Sequence, residues 1–111
     1  MARQLYSVPF QTVKGLTGTG TSVTVPAGHR YVIKQVTFYM NPTFGVSRAF
    51  LEDDVTGAAL FSGGTTIGTP AWFGFYGAIT FEQLTAFHFH VDVSPGDGVD
   101  CYVGGYDLTS P

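Results

Sequence analysis

The feature that most constrains this chain is its punctuation. Fifteen Gly and six Pro recur along 111 residues, so few windows can hold a helix of the average length of about 11 residues. Between the breaks lie segments rich in Val, Thr, Phe and Tyr, side chains that fit a pleated surface. An all-β chain of roughly six to eight short antiparallel strands follows, with turn signals at the spacing of a β-sandwich or a small barrel.

Leu5 to Val13 reads as a first strand or an arm, because Pro9 cannot donate to a ladder and belongs at an edge. Lys14 to Gly20 reads as a flexible loop. Thr21 to Val25 alternates briefly, and Pro26-Ala27-Gly28 turns the chain. The long strand Arg30 to Met40 has no purely polar face, which points to a bulge or to burial on both sides, the second side being a subunit contact. Ser47 to Leu51 ends in the acidic turn Glu52-Asp53-Asp54, and Ala58 to Phe61 precedes Gly63-Gly64. Pro70 opens the most aromatic segment, Ala71 to Phe81. At Glu82 to Ala86 one helical turn is an open alternative, since Phe81, Leu84 and Phe87 are spaced three apart. Phe87 to Val93 alternates strictly, Ser94-Pro95-Gly96-Asp97-Gly98 is a turn, and Val99 to Leu108 is the last strand. Within it, Gly104-Gly105 marks a bulge or a close approach. Residues 1–20 thus read as an N-terminal arm or edge strand with a Gly/Thr loop, and residues 21–111 as one jelly-roll-like β-sandwich domain.

Charged residues make up 12% of the chain, about half the usual share. Five Lys and Arg against eight Asp and Glu give a net charge of -3 with no basic cluster, so the electrostatic footprint of nucleic-acid binding is absent. No apolar run approaches the length of a spanning helix, so no membrane partner is expected. The N-terminus lacks the apolar stretch of a signal peptide, which suits synthesis and retention in the cytoplasm. Cys101 is the single cysteine and reads as an inert core thiol.

Three constellations bear on chemistry. In Phe87-His88-Phe89-His90-Val91-Asp92-Val93, alternation sends the apolar residues inward and His88, His90 and Asp92 outward, where they are candidate metal ligands. A solvated or subunit-facing strand is the competing reading, and no metal or other cofactor is expected. Glu52-Asp53-Asp54 lacks the spacing of a calcium loop and reads as an acidic hairpin turn. Nucleophilic catalysis has only His29, His88 and His90 as bases and no Gly-x-Ser-x-Gly motif, so an enzyme is not expected.

The aromatic run Trp72-Phe73-Gly74-Phe75-Tyr76 reads as core or as a surface buried between copies, given so few charges and so many aromatic rings, with alternation burying Trp72 and leaving Phe73 and Phe75 for the opposite face or for another subunit. Its other reading is a sugar-stacking platform on Trp72 and Tyr76. Candidate contact residues are Tyr31, Tyr39, Phe73, Phe75 and Tyr76, with Leu5, Tyr6 and Phe10 in an arm that adds a strand to a neighbour or wraps it.

The order Ser22-Val23-Thr24-Val25-Pro26-Ala27-Gly28-His29-Arg30-Tyr31-Val32-Ile33, then Trp72, then Val99-Asp100-Cys101-Tyr102-Val103-Gly104-Gly105-Tyr106-Asp107-Leu108, resembles small virion-associated proteins of tailed bacteriophages. These are minor tail or capsid decoration proteins of jelly-roll type, and the similarity spans about residues 21 to 108. The chain departs from them at Glu82 to Ala86, where a Pro-Gly turn is more usual. The resemblance implies a structural subunit made in the host cytoplasm and carried on the virion tail or the capsid exterior. Its partners would be other virion proteins and further copies of itself, with a trimer expected. The competing readings are a module that binds host glycans and a metal-dependent jelly-roll enzyme on His88, His90 and Asp92.

Overall fold

A computed structural model describes residues 7–109, and within them every regular element is a strand. In chain order these are β1 (Val8–Leu16), β2 (Val23–Thr24), β3 (His29–Met40), β4 (Ser47–Asp53), β5 (Ala59–Thr65), β6 (Ala71–Phe81), β7 (Ala86–Asp92) and β8 (Val99–Thr109). They form two four-stranded sheets, β1-β8-β3-β6 and β2-β7-β4-β5. The antiparallel pairs β1–β8, β2–β7, β3–β6 and β4–β5 are nested, so the chain is one long hairpin rolled upon itself. Pairing of β3 with β8 and of β4 with β7 closes the roll. The result is an eight-stranded jelly roll, a choice between sandwich and closed barrel that the strand order makes.

Alternation fills the space between the sheets. Ile33, Val36, Phe38 and Met40 from β3 and Val99, Cys101 and Val103 from β8 meet Ala49 and Leu51 from β4 and Phe87, Phe89 and Val91 from β7, all with little or no exposure. Phe38 is central, stacking on Phe61 at 5.5 Å between ring centroids and meeting the Phe89 ring edge-on at 5.7 Å. Each large side chain buried this way contributes about 1.5–3 kcal/mol. Cys101 belongs to this layer, and burial pushes its thiol up to about 12, so it stays a protonated core residue.

The mixed faces of β3 are explained by a bulge. Tyr31 and Ile33 face inward, and so do Val36, Phe38 and Met40, a step of three at Lys34. Ile33 pairs with Gly105 and Gln35 with Gly104, which leaves Lys34 unopposed. A Cβ on Gly105 would overlap the Val32 carbonyl oxygen and lie 2.8 Å from the Lys34 amide nitrogen, so the Gly104-Gly105 signal marks a close backbone approach.

Three local expectations are corrected. Lys14, Gly15 and Leu16 belong to β1, where a register shift and a positive φ of 64° at Gly15 let the strand continue. The rest of that supposed flexible loop is tied to β7, with Gly20 N–H donating to Phe89 O at 2.7 Å and Val91 N–H donating to Gly18 O at 3.1 Å. β5 runs on through Gly63-Gly64, and a side chain at Gly63 would enter the Phe73 ring, so glycine here permits packing instead of ending the strand.

At Glu82 to Ala86 there is a tight turn, not a helical one. Thr85 N–H donates to Glu82 O at 3.2 Å, and Leu84 takes a φ of 66°. Leu84 is held there because its own N–H donates to Val25 O at 2.8 Å. A leucine with 70% exposure gains little burial to offset the left-handed backbone. Leu84→Gly is therefore expected to stabilise the fold by about 1 kcal/mol, read as a raised midpoint in thermal or denaturant unfolding.

Candidate interaction surface

The outer face of the first sheet is aromatic. β6 alternates with Phe73, Phe75, Ile79 and Phe81 turned inward and Trp72, Gly74, Tyr76, Ala78 and Thr80 turned out. Trp72 and Tyr76 are 70% and 76% exposed. Tyr39 pairs with Trp72 in register and its ring lies 4.4 Å from the indole, so the aromatic surface extends onto β3. The Tyr76 ring reaches back over Gly74, where a Cβ would stand 3.2 Å from it.

Next to Trp72 the face dips into a cavity of about 140 Å³ lined by Thr12, Lys14, Thr37, Asp100 and Tyr102 as well as the indole. Tyr102 lies in register between Thr12 and Thr37. Asp100 accepts a hydrogen bond from Gly15 N–H at 2.9 Å and faces the Lys14 ammonium at 3.8 Å. Tyr102 and Asp100 were not among the residues expected from the sequence. Their signal is alternation, since both flank Cys101 and must point away from the core it enters.

The expected contact residues therefore divide. Tyr39 and Tyr76 lie on the outer face, where Trp72, which alternation was expected to bury, joins them in water. Phe10, Tyr31, Phe73 and Phe75 pack partly buried against the core between the sheets. Phe10 stacks on Tyr31 at 4.2 Å and Phe75 meets Phe61 at 5.9 Å. Burial first, and then the nearby Asp107 carboxylate, raises the Tyr31 phenol above its ordinary value. Leu5 and Tyr6 lie outside the described residues.

On the outer face of the second sheet, His88, His90 and Asp92 stand in line as alternation dictates, but each faces its own partner on β4: Glu52, Phe50 and Arg48 in register. His88 Nε2 is 3.0 Å from Glu52 Oε1, and its Nδ1 is hydrogen-bonded to Asp54. His90 Nδ1 is 3.0 Å from Thr19 Oγ1 and its Nε2 is 3.1 Å from Asp92 Oδ1. Both rings thus have both nitrogens engaged, and among the described residues no three His, Cys, Asp or Glu groups converge as metal ligands. The Ser22 hydroxyl donates to Asp54 Oδ2 at 2.6 Å, so it approaches a carboxylate and not an imidazole that would take its proton.

This polar cluster joins the segment before β2 to β4 and β7, and it titrates. Burial lowers the His88 pKa, but its hydrogen bonds to Asp54 and Glu52 outweigh burial and leave it above its ordinary 6.5. The hydrogen bond from His88, then that from Ser22, holds Asp54 below its ordinary 3.8. The His88 contribution is full below its unfolded pKa and is lost as pH rises through the raised value. The Asp54 contribution is full above its unfolded pKa and is lost as pH falls through the lowered one. Thermal stability is expected to be highest between about pH 4 and 6.5, and His88→Gln should flatten its decline above that window.

The chain matches no protein-family profile and no curated protein. Solved structures with a similar backbone include a protein from the virus-like particle of the extra small virus of the giant freshwater prawn Macrobrachium rosenbergii, at 13% identity and a TM-score of 0.47, covering 97% of this chain and 79% of that one. The disulfide-linked pili of Bacillus endospore appendages match at 15% identity and a TM-score of 0.40, over 98% and 93%. A chain of infectious bursal disease virus, Gx strain, matches at 12% identity and a TM-score of 0.39, over 96% of this chain and 32% of that one.

Proposed function

We propose that this chain is a structural virion protein that assembles by protein–protein contact, as a minor tail or tail-tip subunit of a tailed bacteriophage. The observation that carries the reading is the outward cluster of Tyr39, Trp72 and Tyr76 on an otherwise well-packed jelly roll. A soluble monomer has little reason to leave its one tryptophan and a neighbouring tyrosine in water, whereas interfaces are enriched in such rings. The resemblance of residues 21 to 108 to small phage virion proteins suggests the setting. Gold-labelled antibody against the chain, applied to virions from the lysate in which it is made, tests this by electron microscopy. Label on the tail or its tip supports the proposal, label over the head makes the chain a capsid decoration protein, and virions free of label overturn both.

One feature favours a second reading, a module that binds host glycans. Trp72 flanks a small cavity whose rim offers Asp100, Lys14 and Thr hydroxyls, and a sugar needs an aromatic plane with polar groups beside it. A glycan array with no signal above background removes this reading.

A further inference from the structure

Each sheet ends in two edges, and three of the four are poor templates for another strand. β1 carries Pro9, Lys14 and two register shifts. β2 has two residues, and β5 has seven with an adjacent Gly pair just before its end. β6 differs from these. It has 11 residues, with neither a charge nor a proline. Among the described residues it pairs only with β3, and no other backbone hydrogen bond engages it. Proteins normally blunt such an edge with charge, proline or bulges, because its free N–H and C=O groups recruit another strand. Here the six residues Ala71 to Tyr76 carry none of these, the one irregularity of β6 falling beyond them at Gly77 and Ala78, and their outward side carries Trp72 and Tyr76.

We infer that β6 pairs antiparallel with β6 of a second copy of this chain, across a two-fold axis at Gly74. This rests on the assembly reading above and names its partner. Ala71 to Tyr76 runs in unbroken register along Met40 to Gln35, and the register shift toward β3 comes only after Tyr76, so the straight part of the edge is centred near Gly74. An axis there sets Trp72 opposite the partner's Tyr76 and Phe73 opposite the partner's Phe75. Every facing position then continues the aromatic layer it belongs to, outer with outer and inner with inner. A strand without charges meets no like charge when paired with itself, and a two-fold interface requires that self-complementarity. A closed trimer by edge pairing would instead set β6 on the edge of β1, where Pro9 withholds a donor and the register is broken.

Trp72 is the only tryptophan, so its emission reports the contact directly. With rising concentration, the full chain is expected to pass from monomer to dimer in sedimentation velocity while its emission shifts to the blue. Tyr76→Lys, on a side chain that is mostly exposed, should keep the circular dichroism and melting of the parent and weaken dimerisation roughly tenfold through two lost aromatic pairs. Gly74→Cys should form an intermolecular disulfide in air, because residues on the axis of an antiparallel pair have Cα atoms about 4.5–5.5 Å apart, within disulfide reach. A chain that stays monomeric with concentration-independent emission overturns the inference, and so does a dimer that Gly74→Cys fails to cross-link. Virions that carry the label although the purified chain never dimerises would leave the assembly reading standing and overturn this pairing alone.

Discussion

Replacing Gly105 by Ala is expected to lower the unfolding free energy by about 4 kcal/mol, seen as a fall in denaturant midpoint at unchanged slope. The single added methyl group has no side chain to push aside. It would overlap the Val32 carbonyl oxygen and crowd the Lys34 amide, both backbone atoms of β3 at its bulge. Gly105 also pairs with Val8 of β1, so β8 cannot retreat without pulling on a second neighbour. Since β3 and β8 are the two central strands of their sheet, relief on either side breaks ladder hydrogen bonds that nothing else replaces. Gly18→Ala supplies the control. A Cβ there meets nothing within 4 Å and φ is not positive, so its effect should stay within about 0.5 kcal/mol. If Gly105→Ala were as mild as the control, the close approach of β8 to the bulge would be wrong.

The same glycine pair shows what the sequence can and cannot convey. Two adjacent Gly inside an apolar run announce an irregularity, and the mixed faces of Arg30 to Met40 announce another. That the two are one device, a bulge on β3 seated on a bare stretch of β8, depends on strand pairing that local pattern does not encode. The strands themselves were legible because Gly and Pro bound them and alternation fills them. Leu84 was misleading for a related reason. Its threefold spacing with Phe81 and Phe87 imitates a helical turn, while the hydrogen bond that holds its φ positive is donated by its own N–H to the carbonyl of Val25, distant in sequence. On the candidate surface, alternation separated Trp72 from Phe73 and Phe75, but the expected faces are the wrong way round, since Trp72 stands outward and the two Phe inward. The reason lies in β5, whose Gly63 makes room for the Phe73 ring between the sheets. The bare edge of β6 was not legible at all, because being an edge is a property of the sheet order.

Phe38→Ala is expected to cost about 4 kcal/mol, whereas Trp72→Ala should leave stability within about 1 kcal/mol of the parent. Phe38 has no exposure and joins the sheets by touching Phe61 of β5 and Phe89 of β7. Removing its ring forfeits the transfer energy and leaves a cavity between two rigid layers that cannot close on it. The Phe38/Phe89 pair should show a coupling of about 1 kcal/mol in a double-mutant cycle, the usual worth of an edge-to-face contact. Trp72 is larger than Phe38, but most of it is already in water in the single chain, so the folded state loses little beyond the contact with Tyr39. The order of the two effects should reverse when assembly is measured. At temperatures where both variants are folded, Phe38→Ala should dimerise like the parent and Trp72→Ala roughly tenfold more weakly. Chemical denaturation followed by sedimentation velocity on the same two proteins checks both halves. If Trp72→Ala costs as much stability as Phe38→Ala, the indole belongs to the core of the single chain and the outer face loses its claim as a contact surface.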